Sequence, residues 1–335
     1  MIVFLALVTA SAFSAGASDA PVQIPTFLSD NMVLQRDKPV RIWGWSDPGA
    51  DVEVSFGGNT VSGVADGNGN WSVLLPSMPA NSTPQDLQIN ALTVSNILVG
   101  DVWFGSGQSN MEMALNSTEN GPAAVAAADY PEIRLLHVPN IQSHNPLTDI
   151  NTTWQVCSPA TASGYSGVLY YFGRKVHTEL DVPIGLIDTS VSGSAIDPYF
   201  VGGWIRYNGM SHPLTPFTIK GCLWYQGESN ISAGVGYYGL QKTLIEGWRG
   251  AWGDQTLPFY YVQLAPYSGW NDGALPIFWE AQTKCLSIPW TGMAVITDTV
   301  PEGGGPLHPS NKLDVGERLA LLAFAKDYGM DIVYS

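Results

Sequence analysis

The chain has 335 residues, of which 45% are hydrophobic and only 13% are charged. This composition excludes an intrinsically disordered chain, and the length suffices for one large domain with a smaller one. With 14 basic against 29 acidic residues, the formal net charge of −15 disfavours nucleic acid and anionic membranes as partners. A small neutral or modestly charged ligand fits this balance better.

Residues 1–17 form the first predicted element, a secretory signal peptide. The apolar run "MIVFLALVTASAF" is too short for a membrane-spanning helix, and Ala15-Gly16-Ala17 resembles a cleavage site. The alternative is an ordinary buried first strand. Asn-x-Ser/Thr sequons, among them those at Asn81, Asn116, Asn151 and Asn230, agree with a glycoprotein that is secreted, extracellular or lysosomal.

Residues 18–97 are predicted to form a small all-β domain. Val52, Val54 and Phe56 alternate with polar neighbours, as expected of a strand with one buried face. The turn signals "DPGA" and "DGNGN" recur at the spacing of an antiparallel sandwich.

Residues 98–335 change to continuous apolar runs that end in glycine or polar residues. Such runs predict strands that are buried on both faces, and they read "ILVGDVWFGSG", "VPIGLIDTSVSGS", "FTIKGCLWYQGES", "LPFYYVQLAP" and "TGMAVITDT". Helical patterns lie between them at 123–130, 167–180, 236–252 and 312–329. The alternation predicts a parallel sheet with helices on both faces and a ligand site at the carboxyl ends of the strands.

Ser109 lies in "GSGQSNMEM", directly after the first of these strands. The turn leads into a helix expected to begin near Met111, whose free N–H groups favour developing negative charge. Two interpretations are open at this point. Ser109 is either a nucleophile or the residue that caps the helix.

A nucleophilic serine needs a base, because its hydroxyl is scarcely ionised at neutral pH. Of the five histidines, His308 follows the strand "TGMAVITDT" and precedes a helix, which places it at the same sheet edge. The order of serine before histidine suits a hydrolase. The other histidines are weaker candidates: His137 and His144 in a polar region, His177 on a helix, and His212 in a loop.

Two further loops lie where an oxyanion hole would form. Gly193, in "SVSGS", has no Cβ to block a substrate oxygen from its N–H. Gln226, in "WYQGESN", carries a side-chain amide that could donate to an oxyanion. The structural alternatives are a plain turn glycine and a partner of loop backbone. The three cysteines are too few and too far apart for a disulfide framework or a zinc site, although one pair could bridge.

Seven ordered blocks resemble the sialate O-acetylesterase family of the SGNH-hydrolase superfamily, over nearly the whole chain after the signal. They are "LSDNMVLQRDKPVRIWGWSDPGADVEV", "GSGQSNMEM", "PIGLI", "YNGMSHPLTPFTIKG", "WYQGESN", "LPFYYVQLAP" and "HPSNKLDVGERLALLA". The resemblance implies an Ig-like β-sandwich over 18–97. It further implies a flavodoxin-like three-layer α/β/α SGNH hydrolase domain over 98–335, which we expect to be shortened at its carboxyl end.

The resemblance also implies a serine esterase that hydrolyses O-acetyl esters of sialic acid through an acetyl-enzyme, without metal or cofactor. Ser109 matches the family nucleophile and His308 its general base. The Ser109 N–H, Gly193 and Gln226 match the oxyanion-stabilising positions. Asn230 ends the same block as Gln226, with a surface or structural role as the alternative.

The sequence departs from the family pattern beside the histidine. Relatives commonly carry an aspartate two or three residues before it, where this chain has Pro306 and Gly305. Asp298 or Glu302 could orient His308 instead. We favour a backbone carbonyl as acceptor of the Nδ1 proton, because prolines stiffen the loop.

Two alternatives to the sialic acid substrate follow from the same residues. One is an acetylesterase for other acetylated polysaccharides such as xylan, and the other is a catalytically impaired relative that only binds carbohydrate. The candidates for binding a sialate carboxylate are Arg134, Arg174 and Arg206. Tryptophans that could stack on sugar rings, or belong to the core, are Trp103, Trp204, Trp224 and Trp270.

Overall fold

The computed structural model describes residues 21–270 and 273–334, so the predicted signal peptide lies outside the described residues. The strands are β1 (Val33–Gln35), β2 (Val40–Trp45), β3 (Asp51–Phe56), β4 (Asn59–Val64), β5 (Asn70–Leu75), β6 (Asn81–Ile89), β7 (Leu92–Gly107), β8 (Tyr130–His137), β9 (Gln155–Cys157), β10 (Ile184–Asp188), β11 (Gly221–Tyr225), β12 (Phe259–Val262) and β13 (Thr291–Ala294). The helices are α1 (Ser109–Glu112), α2 (Gly121–Ala126), α3 (Pro159–Ala162), α4 (Gly167–Leu180), α5 (Tyr237–Trp252), α6 (Ala274–Lys284) and α7 (Leu313–Lys326). Within these ranges, no helix has the length and apolar character that crossing a bilayer requires.

A mostly parallel sheet forms the centre of the second part of the chain. Its strands lie in the order β13-β12-β11-β7-β10-β8-β9, and only the edge strand β9 pairs antiparallel. Strands β10, β7, β11, β12 and β13 follow the 2-1-3-4-5 order found in flavodoxin, with β8 and β9 added outside them. Strands β10 to β13 are buried along their whole length, so the predicted parallel sheet is confirmed.

Helices cover both faces of this sheet. Trp103 and Phe104 are neighbours on β7, and successive side chains of a strand point to opposite faces. Trp103 packs against Phe172 of α4, with 5.0 Å between ring centroids, and Phe104 packs against Trp248 of α5 at 5.2 Å. Helix α7 lies beside α4, and α6 lies beside α5. The result is three layers, with the sheet in the middle.

Local sequence explains where the long helices begin and end. The predicted helix over 167–180 coincides with α4. It begins at Ser166, whose hydroxyl accepts a hydrogen bond from the Leu169 N–H at 3.2 Å, and ends at Asp181 in the left-handed conformation. Helix α5 ends in the same way at Gly253, with φ of 69°.

Strand β7 is shared by both parts of the chain. Its first half pairs with β6 and β1, and its second half pairs with β10 and β11. The predicted boundary between residues 97 and 98 therefore falls inside one continuous strand. Between residue 21 and this boundary the regular elements are all strands, with β3 paired to β4 and β6, and β2 paired to β5. Its Ig-like topology stays a prediction.

The cysteines form no bridge in the described structure. Cys157, Cys222 and Cys285 are all free and buried. Burial raises the pKa of the Cys157 and Cys285 thiols to about 12. These thiols are therefore protonated core residues, since a neutral thiol behaves as a small hydrophobe.

A buried carboxylate ties the shared strand to distant segments. Asp101, on β7, has no solvent exposure. Its oxygens accept hydrogen bonds from Gln35 Nε2 at 3.0 Å, Arg36 Nη2 at 2.9 Å and the Tyr328 hydroxyl at 2.9 Å. The carboxylate thus joins the residues around β1 and the segment after α7 to the central sheet.

We expect Asp101→Ala to lower the free energy of unfolding by about 3–5 kcal/mol, because it deprives the partly buried Arg36 of its buried, hydrogen-bonded carboxylate. Urea denaturation followed by tryptophan fluorescence measures the change. Asp37→Ala is the matched control, since the Asp37 side chain is 67% exposed and lies 3.7 Å from the same Arg36. Equal losses for the two variants would contradict the assignment.

Candidate active site

Ser109 and His308 meet at the carboxyl edge of the sheet. Ser109 is the first residue of α1 and is separated from the end of β7 by Gln108 alone, and His308 lies in the loop between β13 and α7. The Ser109 Oγ and the His308 Nε2 are 2.7 Å apart. Gln108, not Ser109, occupies the N-cap position of α1, and its side chain forms no capping hydrogen bond. The Ser109 hydroxyl contacts His308 and does not cap the helix.

Glycine at position 107 makes this turn possible. Gly107 has φ of 145°, and a Cβ there would lie 2.1 Å from the Tyr225 carbonyl oxygen of the neighbouring strand β11. Only glycine permits both this conformation and this close approach. The N–H of Ser109 that follows has no hydrogen-bond partner among the described residues, as expected at the first turn of a helix.

None of the predicted orienting groups binds the far nitrogen of His308. Both oxygens of Asp298 accept from the Arg318 guanidinium, at 2.5 and 2.7 Å. Glu302 is exposed in the glycine-rich loop. Across residues 21–270 and 273–334 the Nδ1 has no hydrogen-bond partner, so the favoured backbone carbonyl is also absent. The charge of Arg318 explains the position of Asp298, because a bidentate arginine is the stronger partner for a carboxylate.

The surroundings keep the His308 imidazole neutral. Partial burial of the ring lowers its pKa below the usual 6.5, and the positive charge of Lys312 lowers the pKa further. A neutral imidazole with its Nε2 on a hydroxyl can take the proton of that hydroxyl. The pair therefore has the geometry and the protonation state of a nucleophile with its base.

Asn110, beside the nucleophile, lies at the centre of a buried polar cluster. Its Nδ2 donates to the Leu307 carbonyl at 2.9 Å and to the Glu228 carboxylate. Its Oδ1 accepts from Lys312 Nζ at 2.6 Å. These bonds fasten the segment before His308 to the helix that carries Ser109.

The Gly193 loop is fastened to the same helix. Gly193 has φ of 71°, and its N–H has no hydrogen-bond partner among the described residues. Glu112 of α1 accepts from the Ser192 N–H at 2.5 Å and from the Ser192 hydroxyl. One carboxylate thus holds the predicted oxyanion loop beside the nucleophile.

The structure uses Gln226 differently from the prediction. This side chain is fully buried, and its Nε2 donates to Gln108 Oε1 at 3.1 Å, to the Ser194 carbonyl at 3.1 Å and to Asn230 Oδ1 at 2.7 Å. Its Oε1 accepts from the Tyr237 hydroxyl at 2.7 Å. The amide is not free to bind an oxyanion, because its protons already join the loops.

Asn230, at the end of this block, keeps a free donor. Its Oδ1 accepts from Gln226 and from the Ile196 N–H at 3.0 Å, which fixes the side chain between two edge loops. Its Nδ2 has no hydrogen-bond partner among the described residues. From the sequence, Asn230 was not predicted to belong to the oxyanion hole.

Three of the four other histidines have ring contacts elsewhere in the fold. His177 Nδ1 contacts the Val182 carbonyl at 2.9 Å, and His212 Nδ1 contacts the Leu147 carbonyl at 2.8 Å. His137 lies 3.5 Å from Asp188, whose carboxylate raises the pKa of that imidazole. Within the described ranges, no group of three or more His, Cys, Asp or Glu side chains could hold a metal ion.

The three candidate arginines lie in different environments. Arg134 is buried and donates to the Asn31 and Asn96 backbone, whereas Arg174 pairs with Glu317 at 3.8 Å. Arg206 donates to Ser194 Oγ at 2.9 Å and to Asn140 Oδ1 at 2.6 Å. It forms no ion pair with any described carboxylate. Because Ser194 follows Gly193, this cation lies next to the oxyanion loop.

Sequence reasoning missed the supporting roles of Asn110, Glu112 and Lys312. All three lie inside the motifs "GQSNMEM" and "HPSNKLDVG", within four residues of the nucleophile or the base. Their closeness in sequence to Ser109 and His308 was the only indication of a role in the site. Their partners lie 80 or more residues away along the chain, so the roles could not be read locally.

The chain is similar to known carbohydrate esterases. Residues 99–323 match the family described as "Carbohydrate esterase, sialic acid-specific acetylesterase". The chain is 33% identical to sialate O-acetylesterase of Homo sapiens over 371 residues, covering 91% of this chain and 71% of the relative. The Mus musculus enzyme is 30% identical, with coverage of 91% and 73%.

The chain is also similar to solved structures, including that of a carbohydrate acetylesterase. A carbohydrate acetylesterase from Xanthomonas citri superimposes with a TM-score of 0.88 and 38% identity, covering 94% of this chain and 77% of that one. An Arabidopsis thaliana protein at 20% identity, with a TM-score of 0.51 and coverage of 68% and 99%, shares the fold. The chain is therefore a carboxylic ester hydrolase and belongs to the sialic acid-specific acetylesterase family of carbohydrate esterases.

Proposed function

We propose that this protein is a serine esterase that removes O-acetyl groups from sialic acid through an acetyl-enzyme. The observation that carries the proposal is the 2.7 Å contact between Ser109 Oγ and His308 Nε2. It joins a hydroxyl to a base in a chain that belongs to a family of acetylesterases. The named relatives from human and mouse are sialate O-acetylesterases.

In the first half of the reaction, His308 Nε2 takes the proton from the Ser109 hydroxyl as Oγ attacks the acetyl carbonyl carbon. The tetrahedral intermediate collapses when the imidazolium returns this proton to the departing sugar oxygen. In the second half, His308 deprotonates a water that attacks the acetyl-enzyme. Acetate leaves and the serine hydroxyl is restored.

Two main-chain N–H groups and one side-chain amide support the proposed oxyanion hole. The Ser109 N–H belongs to the open first turn of α1, and the Gly193 N–H belongs to the loop that Glu112 fixes. The Asn230 Nδ2 is the third donor, in place of the buried Gln226 amide. Donors held in place before the reaction stabilise the negative charge without reorganisation.

The residues beside the Gly193 loop support an acidic sugar as the substrate. Arg206 has a cationic guanidinium without an ionic partner in the described part of the chain, and a sialic acid carries a carboxylate that matches it. Trp204, two residues earlier, is 45% exposed and offers an aromatic surface for a sugar. Trp103 and Trp224 are buried in the core and are not available for this role.

The predictions for residues 1–17 and the sequons belong to the same proposal. A glycoprotein that is secreted, extracellular or lysosomal would meet acetylated glycans outside the cytosol. Asn116 and Asn151 are exposed, which is compatible with glycosylation. A glycan on Asn230 would instead be attached to the Nδ2 that we assign to the oxyanion hole.

We expect Ser109→Ala to lower kcat for aryl acetate hydrolysis by a factor on the order of 10⁴–10⁶, because no other group can form the acetyl-enzyme. Initial rates and thermal unfolding are measured on the same preparations. Ser117→Ala, at an exposed serine of the same region, is the matched control and should keep full activity. Equal rates for Ser109→Ala and the unmodified protein would sink the nucleophile assignment. Sugar binding without turnover in the unmodified protein would favour the impaired relative.

The pH profile follows from the protonation of His308. The neutral His308 ring is the active base. We therefore expect kcat/KM to reach its plateau above the pKa of His308 and to fall as the pH drops below that pKa. Because burial and Lys312 lower that pKa, we expect kcat/KM at pH 6.5 to exceed half of its plateau. A half-maximal point above pH 6.5 would contradict this environment for the base.

We expect Arg206→Gln to raise KM for an O-acetylated sialic acid by about tenfold to a hundredfold, since a charge-assisted hydrogen bond contributes about 1.5–3 kcal/mol. The KM for the corresponding sialic acid methyl ester, which lacks the negative charge, and for acetylated xylan should not change. Arg174→Gln is the matched control, because that guanidinium already pairs with Glu317. A parallel loss on charged and neutral substrates would show that Arg206 only maintains the loop.

A further inference from the structure

A buried lysine lies beneath the catalytic pair. Lys312 has no solvent exposure, and its Nζ donates to Asn110 Oδ1 at 2.6 Å. The same Nζ lies 5.1 Å from the ring centroid of Tyr225. A charged side chain is costly to bury unless nearby groups compensate it, so its place at this site needs a reason.

The chemistry of its neighbours fixes the orientation of Asn110. An ammonium offers only donors, so the Asn110 oxygen must face Lys312. Carbonyl and carboxylate oxygens accept, so the Asn110 nitrogen must face Leu307 and Glu228. The amide therefore links three segments: the nucleophile's helix, the loop of the base and the start of the turn Glu228–Gly236.

Glu228 is the counterpart of the lysine in this cluster. Its Oε1 accepts from Asn110, whereas its buried Oε2 has no hydrogen-bond partner among the described residues. Burial raises the pKa of this carboxyl, and the same effect lowers the pKa of Lys312 to about 7. The two side chains interact across Asn110, since the charge of each opposes the effect of burial on the other.

We propose that Lys312 is a positioning residue of the esterase: through Asn110 it holds the main chain of the His308 loop against the nucleophile's helix, in place of a carboxylate on Nδ1. The inference rests on the proposed function of Ser109 and His308. Its support is the unbroken path from Lys312 through Asn110 to the Leu307 carbonyl, next to a base whose Nδ1 has no partner among the described residues.

The charge of Lys312 adds a second effect. An ammonium close to the imidazole disfavours the imidazolium, and Lys312 lowers the pKa of His308 for this reason. The charged and titratable groups that face Lys312 are Glu228, Tyr225 and His308; Asp314, in the first turn of α7, accepts from Asn311 at 2.7 Å. Protonated Lys312 therefore extends the neutral state of the base toward acidic pH.

The test compares Lys312→Met, which has similar length but no charge or donor, with the unmodified protein. We expect kcat to fall by about tenfold to a hundredfold with little change in the KM for an aryl acetate, because misplacement of a catalytic group acts on the chemical step. The acid limb of kcat/KM should move to higher pH, since removal of the positive charge raises the pKa of His308. Lys326→Met, at the other end of α7, is the matched control and should behave as the unmodified protein.

An NMR titration of the five histidine rings measures the same quantity without turnover. We expect the His308 ring to titrate at higher pH in Lys312→Met than in the unmodified protein. An unchanged His308 titration in a folded variant would overturn the proposal. Because this readout needs no activity, it remains decisive even where the Ser109→Ala experiment fails to support an esterase.

Lys312→Gln guards against loss of folding in the first variant, because it removes the charge but keeps a donor for Asn110. It should raise the His308 pKa and retain more of kcat than Lys312→Met. The unmodified protein provides a last check. Its His308 resonances should shift when Lys312 titrates, and His308 resonances that stay unchanged through the Lys312 titration would overturn the proposed coupling.

Discussion

The hydrogen bond between Ser109 and His308 joins groups that are 199 positions apart, so nothing local in the chain can form it. Bringing such distant segments together has an entropic cost that grows with the length of the loop. The parallel sheet meets this cost through burial. Strands β7 and β13 both end at one edge, and every residue of β13 is buried, so the two loops are carried to the same place.

A precise site also requires that the loops do not drift relative to one another. Here the helix of the nucleophile serves as the reference. Glu112 binds the Ser192 loop, and Asn110 binds the Leu307 segment and the Glu228 turn. These bonds act on the main chain around the reacting groups. In a Ser-His-Asp triad the acid acts on the imidazole ring itself. The main-chain arrangement can hold an imidazole in place while leaving its second nitrogen free.

The sequence was sufficient to predict the helices and strands whose own residues carry the deciding pattern. The helix over 167–180 carries its own start and stop residues, and the apolar runs of β10, β11 and β12 admit only buried strands. It failed for β8, where "YPEIRLLH" begins with polar residues, and for α6, whose pattern lies in a stretch rich in aromatics. In these segments the decisive contacts come from neighbouring strands and helices.

The same distinction applies to the site. Ser109, His308 and Gly193 were accessible because each follows a recognisable strand. The role of Gln226 was not, since its amide partners come from three other segments that only the folded chain assembles. Nothing in the sequence distinguished Lys312 from an ordinary charged residue at the start of the predicted helix over 312–329. Its burial depends on Asn110 and Tyr225, which lie far from it in sequence.

The continuity of β7 has a consequence for how the molecule is built. A single strand supplies hydrogen-bond partners to β6 near its start and to β10 and β11 near its end. A break near residue 97 would therefore interrupt a ladder, and each half would expose unpaired edges. The amino-terminal β region consequently cannot be exchanged as a separate domain. We expect this region and the α/β region that follows it to unfold as one cooperative unit.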